Sequence, residues 1–408
     1  MLTVDDARRR VLDAVAPVAA VDVRVADARG LVLATDLVAP HPLPRFDNSA
    51  MDGYAVRGDD VGSASPEQPV ALPVVGEVRA GDPGEVMIEP GCAARIMTGA
   101  PIPPGADAVV PVEATSESDG KVVITEPAAR GRHVRPAGED VRAGEVLVRA
   151  GTELAAGELA LLASTGLSPV SVRRPPRVAV VVTGDELVEP EATPGPGQIR
   201  DSNTVALRAL VAEAGAEVVP FPAVRDTKAD VVDVLARAAE LSDVIVSSGG
   251  VAVGRYDFVK DAVEELGGID LWRVAMQPGR PLVLGWVAAT PFLGLPGNPV
   301  SSHVGFEQFV RPAIRKMRGC RSLLRPTVTA TLTESISKPP GRLHFVRVRL
   351  ERDTGGWAAT PTGPQGSHIQ SSLVECSGVA RFERESSSLD AGAEVVVEVW
   401  SLPAEDRT

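Results

Sequence analysis

Four glycine-bearing loop motifs contain the residues whose types and spacing could do chemistry. They read TGDEL (residues 183–187), SSGGVAVGRYD (247–257), QPGRP (277–281) and LPGNPVS (295–301). Each follows or lies between strand-like apolar runs, and three of them lead into a helix-like pattern. Loops that follow the strands of an open α/β sheet gather at one edge, where phosphorylated ligands bind. This arrangement predicts an enzyme that acts on an anionic, nucleotide-like substrate.

The run SSGGVAVG could present several backbone N–H groups to an anion. Its glycines allow the chain to approach a phosphate closely. A purely structural strand-to-helix turn is an equally good interpretation of this run alone. The patterns GxxxxGK[ST] and GxGxxG do not occur in the sequence, which excludes an NTPase P-loop and a dinucleotide-binding fingerprint.

Acidic side chains stand at the ends of several predicted strands. Glu186 follows the strand VAVVVT, Asp226 lies in RDTKAD, and Asp257 opens a predicted helix. Helix capping is the simpler interpretation of Asp226 and Asp257 taken singly, and also of Asp201 in RDSN. Glu186 is a poor cap and needs another explanation. Together the acids could bind Mg²⁺ against a phosphate, because hard cations prefer oxygen ligands.

Other loops offer donors for an oxyanion. Ser301 falls in the first turn of the helix after PGNP, where free amides favour an anion. Arg280 in QPGRP adds a planar donor, although a solvated surface charge is an equally good interpretation. Asp52 in NSAMDGYAV and Thr98 in RIMTGA stand in turn-like stretches, for which a structural turn is the usual explanation.

The composition excludes several classes of partner. Of the 408 residues, 44% are apolar and 23% are charged, which is typical of a globular protein with more than one domain. The 54 acidic and 41 basic side chains give a net charge of −13, which argues against broad binding to nucleic acid or anionic membranes. Aromatic residues make up only 3%, so a base-stacking platform is not expected. An anionic substrate must therefore be bound by local arginines, backbone amides or a metal.

Cysteine usage and the N-terminus point to the cytoplasm. Cys92, Cys320 and Cys376 are far apart in the sequence and lack metal-ligand spacing, so neither a disulfide scaffold nor a structural zinc site is expected. The first residues carry two acids and no basic region, and no signal peptide is predicted. No apolar run approaches the roughly 20 residues that cross a bilayer.

Apolar periodicity divides the chain into four regions. Residues 1–45 and 136–175 form a helical and linker domain, into which a β-rich domain over residues 46–135 is inserted. Residues 176–325 alternate strand and helix, which predicts βαβ crossovers and a mostly parallel sheet. Residues 326–408 show short alternating runs typical of a small barrel or sandwich. The predicted fold class is multidomain, α/β and β.

The motifs together resemble the molybdopterin molybdenumtransferase family, which includes bacterial MoeA and the E-domain of gephyrin. FDNSAMDGYAVR, RIMTGAPIPPGADAVV, TGDEL, LPGNPVS and GPQGSHIQSS follow the family order over nearly the whole chain. The resemblance implies a MogA-like α/β domain that binds molybdopterin, an elongated β-rich N-terminal region and a small C-terminal β-barrel. It also implies a homodimer whose active site lies in a cleft between subunits.

The family's reaction is the Mg²⁺-dependent insertion of molybdate into adenylylated molybdopterin, with release of AMP and molybdenum cofactor. The resemblance therefore implies Mg²⁺ as cofactor, these two compounds as substrates, and a MogA-type adenylyltransferase and apo-molybdoenzymes as partners. Cleavage of a pyrophosphate bond requires a metal and N–H donors that stabilise the developing charge. Molybdate is a tetrahedral dianion, which Arg, Ser and amide donors can bind.

Motif matching extends the resemblance to single residues. The residues matched to catalysis are Asp52, Thr98, Glu186, Asp226 and Asp257. The residues implied to bind metal are Glu186, Asp257 and, in GED, Asp140. The candidate substrate contacts are Ser248, Gly249, Gly250, Gly254, Arg280, Pro296, Pro299, Ser301, Arg342 and Ser371. Of these, Arg280, Ser301, Arg342 and Ser371 are the candidate molybdate contacts.

The chain departs from its relatives at two positions in these loops. Where relatives often have KPGKP, it has Gln277 and Arg280, so one cationic charge is missing. Where they often have serine in GGVSVG, it has Ala252, which removes a hydroxyl donor. Neither change removes an acid, and the reaction is expected to survive both.

Two other functions are compatible with the motifs. One is adenylyl transfer from ATP to molybdopterin, the activity of MogA-type proteins, although the flanking β regions and Asp52 argue against it. The other is an interaction scaffold, as in gephyrin, although a scaffold would not need the whole set of acids.

Overall fold

The computed structural model describes residues 1–251, 258–353 and 355–402. The chain forms two compact units. The larger comprises Met1–Thr35, Ala150–Ala155 and Pro169–Thr408, and the smaller comprises Asp36–Arg149 and Ala156–Ser168. Within the described ranges, every helix is too short or too polar to cross a membrane. The boundaries of the four regions inferred from periodicity stay a prediction.

The smaller unit is built on a six-stranded sheet of short strands. In spatial order they are Ala108–Pro111, Gly53–Val56, Ala93–Ile96, Val70–Val78, Lys121–Ile124 and Thr115–Ser118. Side chains that include Tyr54, Val56, Val110 and Ile124 pack into one core. The remaining elements are the pairs Asn48–Ser49 with Val134–Arg135 and Leu37–Val38 with Val146–Val148, the helices Gly58–Val61 and Ala156–Ser164, and the 3-10 turn Val112–Ala114. The β-rich character predicted for this region is confirmed.

The larger unit contains a six-stranded sheet with helices on both faces. Its spatial order is Glu217–Pro220, Arg177–Val182, Val244–Ser248, Thr290–Leu295, Pro281–Val287 and Gly267–Arg273. The first four strands run parallel to one another. Pro281–Val287 is antiparallel to both of its neighbours, Thr290–Leu295 and Gly267–Arg273. Val178 and Val180 pack into the core on one face, and Ala179 and Val181 into the core on the other. A strand buried on both faces must be apolar throughout, which explains the run VAVVV.

The helices that cover this sheet form where the pattern predicts them. They are Asn203–Glu213, Lys228–Leu241, Phe258–Leu266 and a continuous run made of Pro299–Gly305, the π-helical turn Phe306–Val310 and Arg311–Met317. The N-terminal helix Val4–Asp13 begins after Thr3, whose hydroxyl accepts a hydrogen bond from the N–H of Asp6 at 3.1 Å. The smaller elements of the unit are the sheet Ala20–Val23, Val170–Arg173 and Val32–Leu33, the pair Leu187–Val188 with Ile199–Arg200, and the 3-10 turns Val25–Asp27 and Gln370–Leu373.

The C-terminal strands of the larger unit close into a five-stranded barrel. Around the barrel they are Leu343–Asp353, Gly356–Pro361, Thr327–Leu332, Glu394–Val399 and Gly378–Phe382, and the last pairs again with the first. The strand Met276–Gln277 adds to Leu343–Asp353 from outside the barrel. A further pair joins Ile336–Ser337 to Ser388–Leu389. The predicted mixed α/β fold with a small C-terminal barrel is confirmed.

A buried ion pair fastens the long helical run to the barrel. The guanidinium of Arg325, just before the barrel strand Thr327–Leu332, donates to both carboxylate oxygens of Glu307 at 2.9 and 2.8 Å. A third nitrogen of Arg325 donates to the carbonyl of Trp400, just after the barrel strand Glu394–Val399, at 3.1 Å. The side chain of Glu307 is only 2% exposed, so the pair is shielded from solvent.

We expect Arg325→Met to lower the free energy of unfolding by about 3 kcal/mol, because it leaves the Glu307 carboxylate buried without its main partner. Arg311 lies 3.9 Å from Glu307 and compensates only in part. Denaturant unfolding measures the loss. Arg24→Met is the control, since the side chains of Arg24 and Asp27 are 78% and 55% exposed, and it should cost less than about 1 kcal/mol. Equal losses in the two variants would contradict the buried role.

Candidate functional site

Two acidic loops meet at the carboxyl edge of the larger sheet. Thr183 and Val224, which follow neighbouring parallel strands, form a parallel β-bridge and place the next residues of each loop side by side. The N–H of Asp226 then donates to a carboxylate oxygen of Asp185 at 3.1 Å. The loops TGDEL and RD are therefore joined, because parallel strands bring the residues after them to one edge.

Asp226 does not cap the helix that follows it. The cap is Thr227, whose hydroxyl accepts from the N–H of Asp230 at 3.2 Å. The capping interpretation of Asp226 is therefore wrong, because the next residue already satisfies the first helical turn. Asp201, in contrast, accepts from the N–H of Thr204 at 2.9 Å, the hydrogen bond expected of a cap, although Ser202 occupies the N-cap position of that helix.

The electrostatic environment of Asp226 is unfavourable to its charge. Burial raises the pKa of Asp226 above the ordinary 3.8, and the negative charges of Asp185 and Glu186 raise it further. Hydrogen bonding to the backbone of Asp185 acts in the opposite direction but does not outweigh them. The sheet edge thus carries concentrated negative charge, which a cation or a proton would relieve.

The glycine turn after the strand Val244–Ser248 lies against the TGDEL loop. Gly249 and Gly250 have φ values of +92° and +64°, in the left-handed region that favours glycine. A Cβ on Gly249 would lie 2.8 Å from the carbonyl oxygen of Thr183. This close approach explains why the turn needs glycine, and it places the turn beside the acidic loop.

The hydroxyl of Ser248 forms hydrogen bonds within the protein at this edge of the sheet. It donates to the carbonyl of Pro296 at 3.0 Å and accepts from the side-chain amide of Asn203 at 2.9 Å. The same amide donates to the carbonyl of Gly297 at 2.7 Å. Ser248 is fully buried, so it ties the glycine turn to PGNP.

A pocket of about 600 Å³ opens where these turns meet the barrel domain. Of the predicted substrate contacts, its lining includes Gly249, Gly250, Arg280, Pro296, Ser301 and Arg342. Polar residues to which the motifs assigned no contact, namely Gln277, Asn298, Gln365 and Ser367, also line it. The pocket joins three loops of the α/β domain with two segments of the barrel domain.

Strand pairing explains how Arg280 and Arg342 come to one pocket. The strand Met276–Gln277 pairs in parallel with Leu343 and His344 of the first barrel strand. Arg342 immediately precedes that pairing, and Arg280 follows it by three residues. The pocket thus depends on a two-residue ladder between distant segments.

Both pocket arginines lack a counter-charge among the described residues. Neither Arg280 nor Arg342 forms an ion pair or a side-chain hydrogen bond there, although the carbonyl of Arg342 accepts from Lys338 at 2.9 Å. Ser301, at the start of the helix Pro299–Gly305, is buried, with 3% of the residue exposed. Two guanidinium groups beside a hydroxyl are suited to a small oxyanion.

Three predicted contacts do not line this pocket. Ser248 is bonded as described above. Pro299 lines a separate cavity of about 160 Å³ together with Ser302 and His303. Ser371 is exposed in the 3-10 turn Gln370–Leu373, where its carbonyl accepts from the N–H of Val374 at 3.2 Å.

Asp52 and Thr98 form a pair in the smaller unit. One carboxylate oxygen of Asp52 accepts from the N–H of Thr98 at 2.6 Å and from its hydroxyl at 2.7 Å. The backbone hydrogen bond first, and the hydroxyl second, lower the pKa of Asp52, so it is ionised at neutral pH. A Cβ on Gly53 would lie 2.0 Å from the carbonyl oxygen of Val110, which accounts for the glycine after Asp52. Thr98 therefore does more than form a turn: it contacts a distant motif.

Of the remaining predicted residues, the structure describes only Asp140. Asp140 is exposed in the smaller unit, with its N–H donating to the carbonyl of Leu43 at 3.0 Å. Asp257, Gly254 and Ala252 lie outside the described residues. Among the residues that are described, no group of three His, Cys, Asp or Glu is arranged to bind a metal ion.

Sequence reasoning missed several pocket residues although they lie in quoted motifs. Asn298 stands in LPGNPVS, and Gln365 and Ser367 stand in GPQGSHIQSS. Uncharged Asn, Gln and Ser are frequent in turns, so they carry little signal. Their position inside motifs with glycine and proline was the one available indication.

Comparison with known proteins identifies relatives of every part of the chain. Residues 2–166 match the family model of the MoeA N-terminal region (domain I and II). Residues 179–316 match that of a probable molybdopterin binding domain, and residues 329–400 that of the MoeA C-terminal region (domain IV).

Full-length relatives agree with the family models. The chain is 41% identical to molybdopterin molybdenumtransferase 2 of Mycobacterium tuberculosis over 408 residues, which cover 98% of this chain and 100% of that one. It is 36% identical to molybdopterin molybdenumtransferase of Haemophilus influenzae, with 98% and 99% coverage. The crystal structure of the molybdopterin biosynthesis MoeA protein of Pyrococcus horikoshii superposes with a TM-score of 0.86 at 33% identity, with 98% and 99% coverage.

We expect Asp226→Asn to stabilise the protein at neutral pH, because the raised pKa of Asp226 means that folding disfavours its charge. The stability associated with the protonated acid is complete below the ordinary pKa of 3.8 and is lost as the pH rises through the raised pKa. Thermal unfolding should therefore show a higher Tm than wild type at pH 7, with the gain shrinking towards pH 3.8.

Asp233→Asn is the control for this experiment, since Asp233 is an exposed acid on the next helix. For Asp233→Asn, the difference in Tm from wild type should not grow between pH 3.8 and pH 7 as it does for Asp226→Asn. A lower Tm for Asp226→Asn at pH 7 would show that the carboxylate is stabilised, against the electrostatics described above.

Proposed function

The chain belongs to the molybdopterin molybdenumtransferase family, and from this premise we propose that it inserts molybdate into adenylylated molybdopterin and releases AMP. The membership makes it a transferase of molybdenum cofactor biosynthesis. The observation that supports the finer proposal is the pocket with two guanidinium groups that lack a carboxylate partner among the described residues.

We propose that this pocket binds molybdate. A tetrahedral dianion matches the donors of Arg280, Arg342 and Ser301, which come from three separate segments around one space. Two positive charges beside one pocket favour a dianion locally, despite the net charge of −13 for the whole chain. Gln277 lines the same pocket, so the position where relatives often have lysine contributes amide donors and no charge.

The glycine turn and the acidic loops are proposed to bind the pyrophosphate part of the second substrate. Gly249 and Gly250 line the pocket and lie against Thr183, two residues before Asp185. The turn thus leads from the oxyanion pocket to the acids along one sheet edge. The N–H of Gly249 donates to the carbonyl of Leu295 at 3.2 Å, so the N–H of Gly250 is the candidate donor to negative charge that develops as the pyrophosphate bond breaks.

The acid cluster fits the Mg²⁺ that the family resemblance implies. Burial raises the pKa of Asp226, and the negative charges of Asp185 and Glu186 raise it further, so acidic groups are concentrated at this edge. We propose that Glu186 and Asp226 would bind the ion, with Asp257 as a further candidate ligand. No three described residues form a ready-made metal site, but Mg²⁺ typically uses one or two carboxylates with waters and phosphate oxygens. When bound, Mg²⁺ supplies positive charge next to the phosphate oxygens.

We propose that Asp52 and Thr98 also act in the reaction, as motif matching implies. Asp52 is exposed and ionised, and its two hydrogen bonds from Thr98 fix one oxygen while the other carries no hydrogen bond within the described chain. A carboxylate oriented in this way can accept a hydrogen bond or a proton from a substrate group.

The experiment combines purified protein with adenylylated molybdopterin, Mg²⁺ and molybdate, and measures AMP. We expect AMP release that depends on molybdate, and an increase of at least tenfold in the KM for molybdate in Arg280→Met, because a charge-assisted contact is lost. Arg280→Lys should retain most of the affinity, because it keeps the charge at this position.

Arg237→Met serves as the matched control, because Arg237 is an exposed arginine on a helix of the same domain. Its KM for molybdate should equal that of wild type. Wild-type protein that releases no AMP when molybdate is added would refute the proposed function.

We further propose a homodimer that acts in the cytoplasm. The family resemblance supports the dimer, and sedimentation equilibrium of the purified protein should give twice the mass of 42.5 kDa. A monomer mass at micromolar concentration would contradict it. The three cysteines are free, which is consistent with a reducing compartment.

A further inference from the structure

Arg347 is a buried arginine that is not among the candidate site residues. It lies on the first barrel strand, Leu343–Asp353, and its side chain has no exposed surface. It forms no ion pair with any described residue. Burial lowers its pKa to about 10, so the guanidinium is still charged at neutral pH. A buried charge without a counter-ion is costly, and such a residue calls for an explanation.

The guanidinium of Arg347 forms hydrogen bonds to the turn 364–367, which lines one side of the pocket. Its Nε donates to the hydroxyl of Ser372 at 3.0 Å. One terminal nitrogen donates to the carbonyls of Pro364 and Gly366 at 3.2 and 3.3 Å. The other terminal nitrogen is buried and has no hydrogen-bond partner among the described residues. The planar fork therefore bridges three acceptors that a point charge could not reach together.

The backbone of Arg347 also forms hydrogen bonds to the same turn. Its N–H donates to the side-chain oxygen of Gln365 at 2.8 Å, and its carbonyl accepts from the side-chain nitrogen of Gln365 at 3.2 Å. Gln365 thus pairs with the strand as a neighbouring residue of a sheet would. Both main chain and side chain of one residue fix the turn 364–367.

This turn leads directly to the proposed molybdate contacts. Gln365, Gly366 and Ser367 line the pocket. The carbonyl of Ser367 accepts from the N–H of Val300 at 3.1 Å, immediately before Ser301. A displacement of the turn would therefore reach both the pocket wall and the first turn of the helix that carries Ser301.

We propose that Arg347 is a positioning residue, which sets the oxyanion affinity of the pocket through the turn 364–367 without touching the anion itself. This inference rests on the proposed function, because the anion is taken to be molybdate. It differs from a purely structural role in one respect. A structural arginine would change stability alone, whereas a positioning residue changes the affinity for molybdate at a given stability.

The test compares three variants by KM for molybdate, kcat and Tm. Arg347→Lys keeps the charge but loses the fork, and Arg347→Met keeps the bulk but loses the charge. We expect both to raise the KM for molybdate about tenfold while kcat changes less than about threefold, because lost contacts to the turn weaken binding of the anion. Ser372→Ala removes one acceptor and should raise the KM about threefold.

Arg349→Lys and Arg349→Met are the matched controls. Arg349 stands two residues along the same strand, is exposed, and pairs with Glu351 and Glu375 at 3.2 and 3.5 Å. Their KM for molybdate should equal that of wild type. A wild-type KM in Arg347→Lys would overturn the proposal, because charge alone would then suffice. Loss of kcat and Tm with an unchanged KM would overturn it too.

Two further results separate this inference from the proposed function. If the Arg347 variants do not fold, Ser372→Ala decides, and a wild-type KM in that variant overturns the positioning role. If the wild type releases no AMP, the proposed function fails, and calorimetric titration with molybdate replaces the KM. Weaker binding in Arg347→Lys than in Arg349→Lys then supports the role, and equal binding, or no binding by wild type, overturns it.

Discussion

The parallel register of the central strands is the constraint on which the rest of the site depends. Arg177–Val182, Val244–Ser248 and Thr290–Leu295 pair in register, so the chain leaves all three at one level. The loops that follow therefore start side by side, and after the third strand the helix Pro299–Gly305 begins at once. Glycine and proline form the turns of these loops, and backbone N–H groups and short polar side chains are left facing one space. A shift of one residue in any pairing would move a whole loop out of that space.

Charge is separated along this edge rather than neutralised. Asp185, Glu186 and Asp226 concentrate negative charge at one end, while Arg280 and Arg342 stand at the other without carboxylate partners among the described residues. At the acidic end, burial and the charges of Asp185 and Glu186 disfavour the ionised form of Asp226. Glu307 and Arg325, which do not line the pocket, form a buried ion pair instead. Unpaired charge at the edge is therefore best explained by ligands that supply the missing partners.

The sequence predicted elements better than it predicted contacts. The apolar run VAVVV, the helices and the barrel strands follow from periodicity, which is a local property. Asp226 looked like a cap because Asp often is one, yet Thr227 takes that role, and neighbouring residues of similar chemistry cannot be ranked from sequence. The contribution of Arg342 to the pocket depends on the pairing of residues 276–277 with residues 343–344. No local sequence pattern predicts that pairing. Arg347 is not among the candidate site residues, since an arginine within an alternating strand is typically an outward-facing side chain, whereas here it is buried.

The short ladder between Met276–Gln277 and the barrel has a consequence for engineering. Leu343 and Phe345, on the barrel strand that it joins, pack into the same core as Val178 and Val180 of the central sheet. A substitute barrel would therefore have to reproduce both this pairing and this core contact, because Arg342 reaches the pocket beside that register.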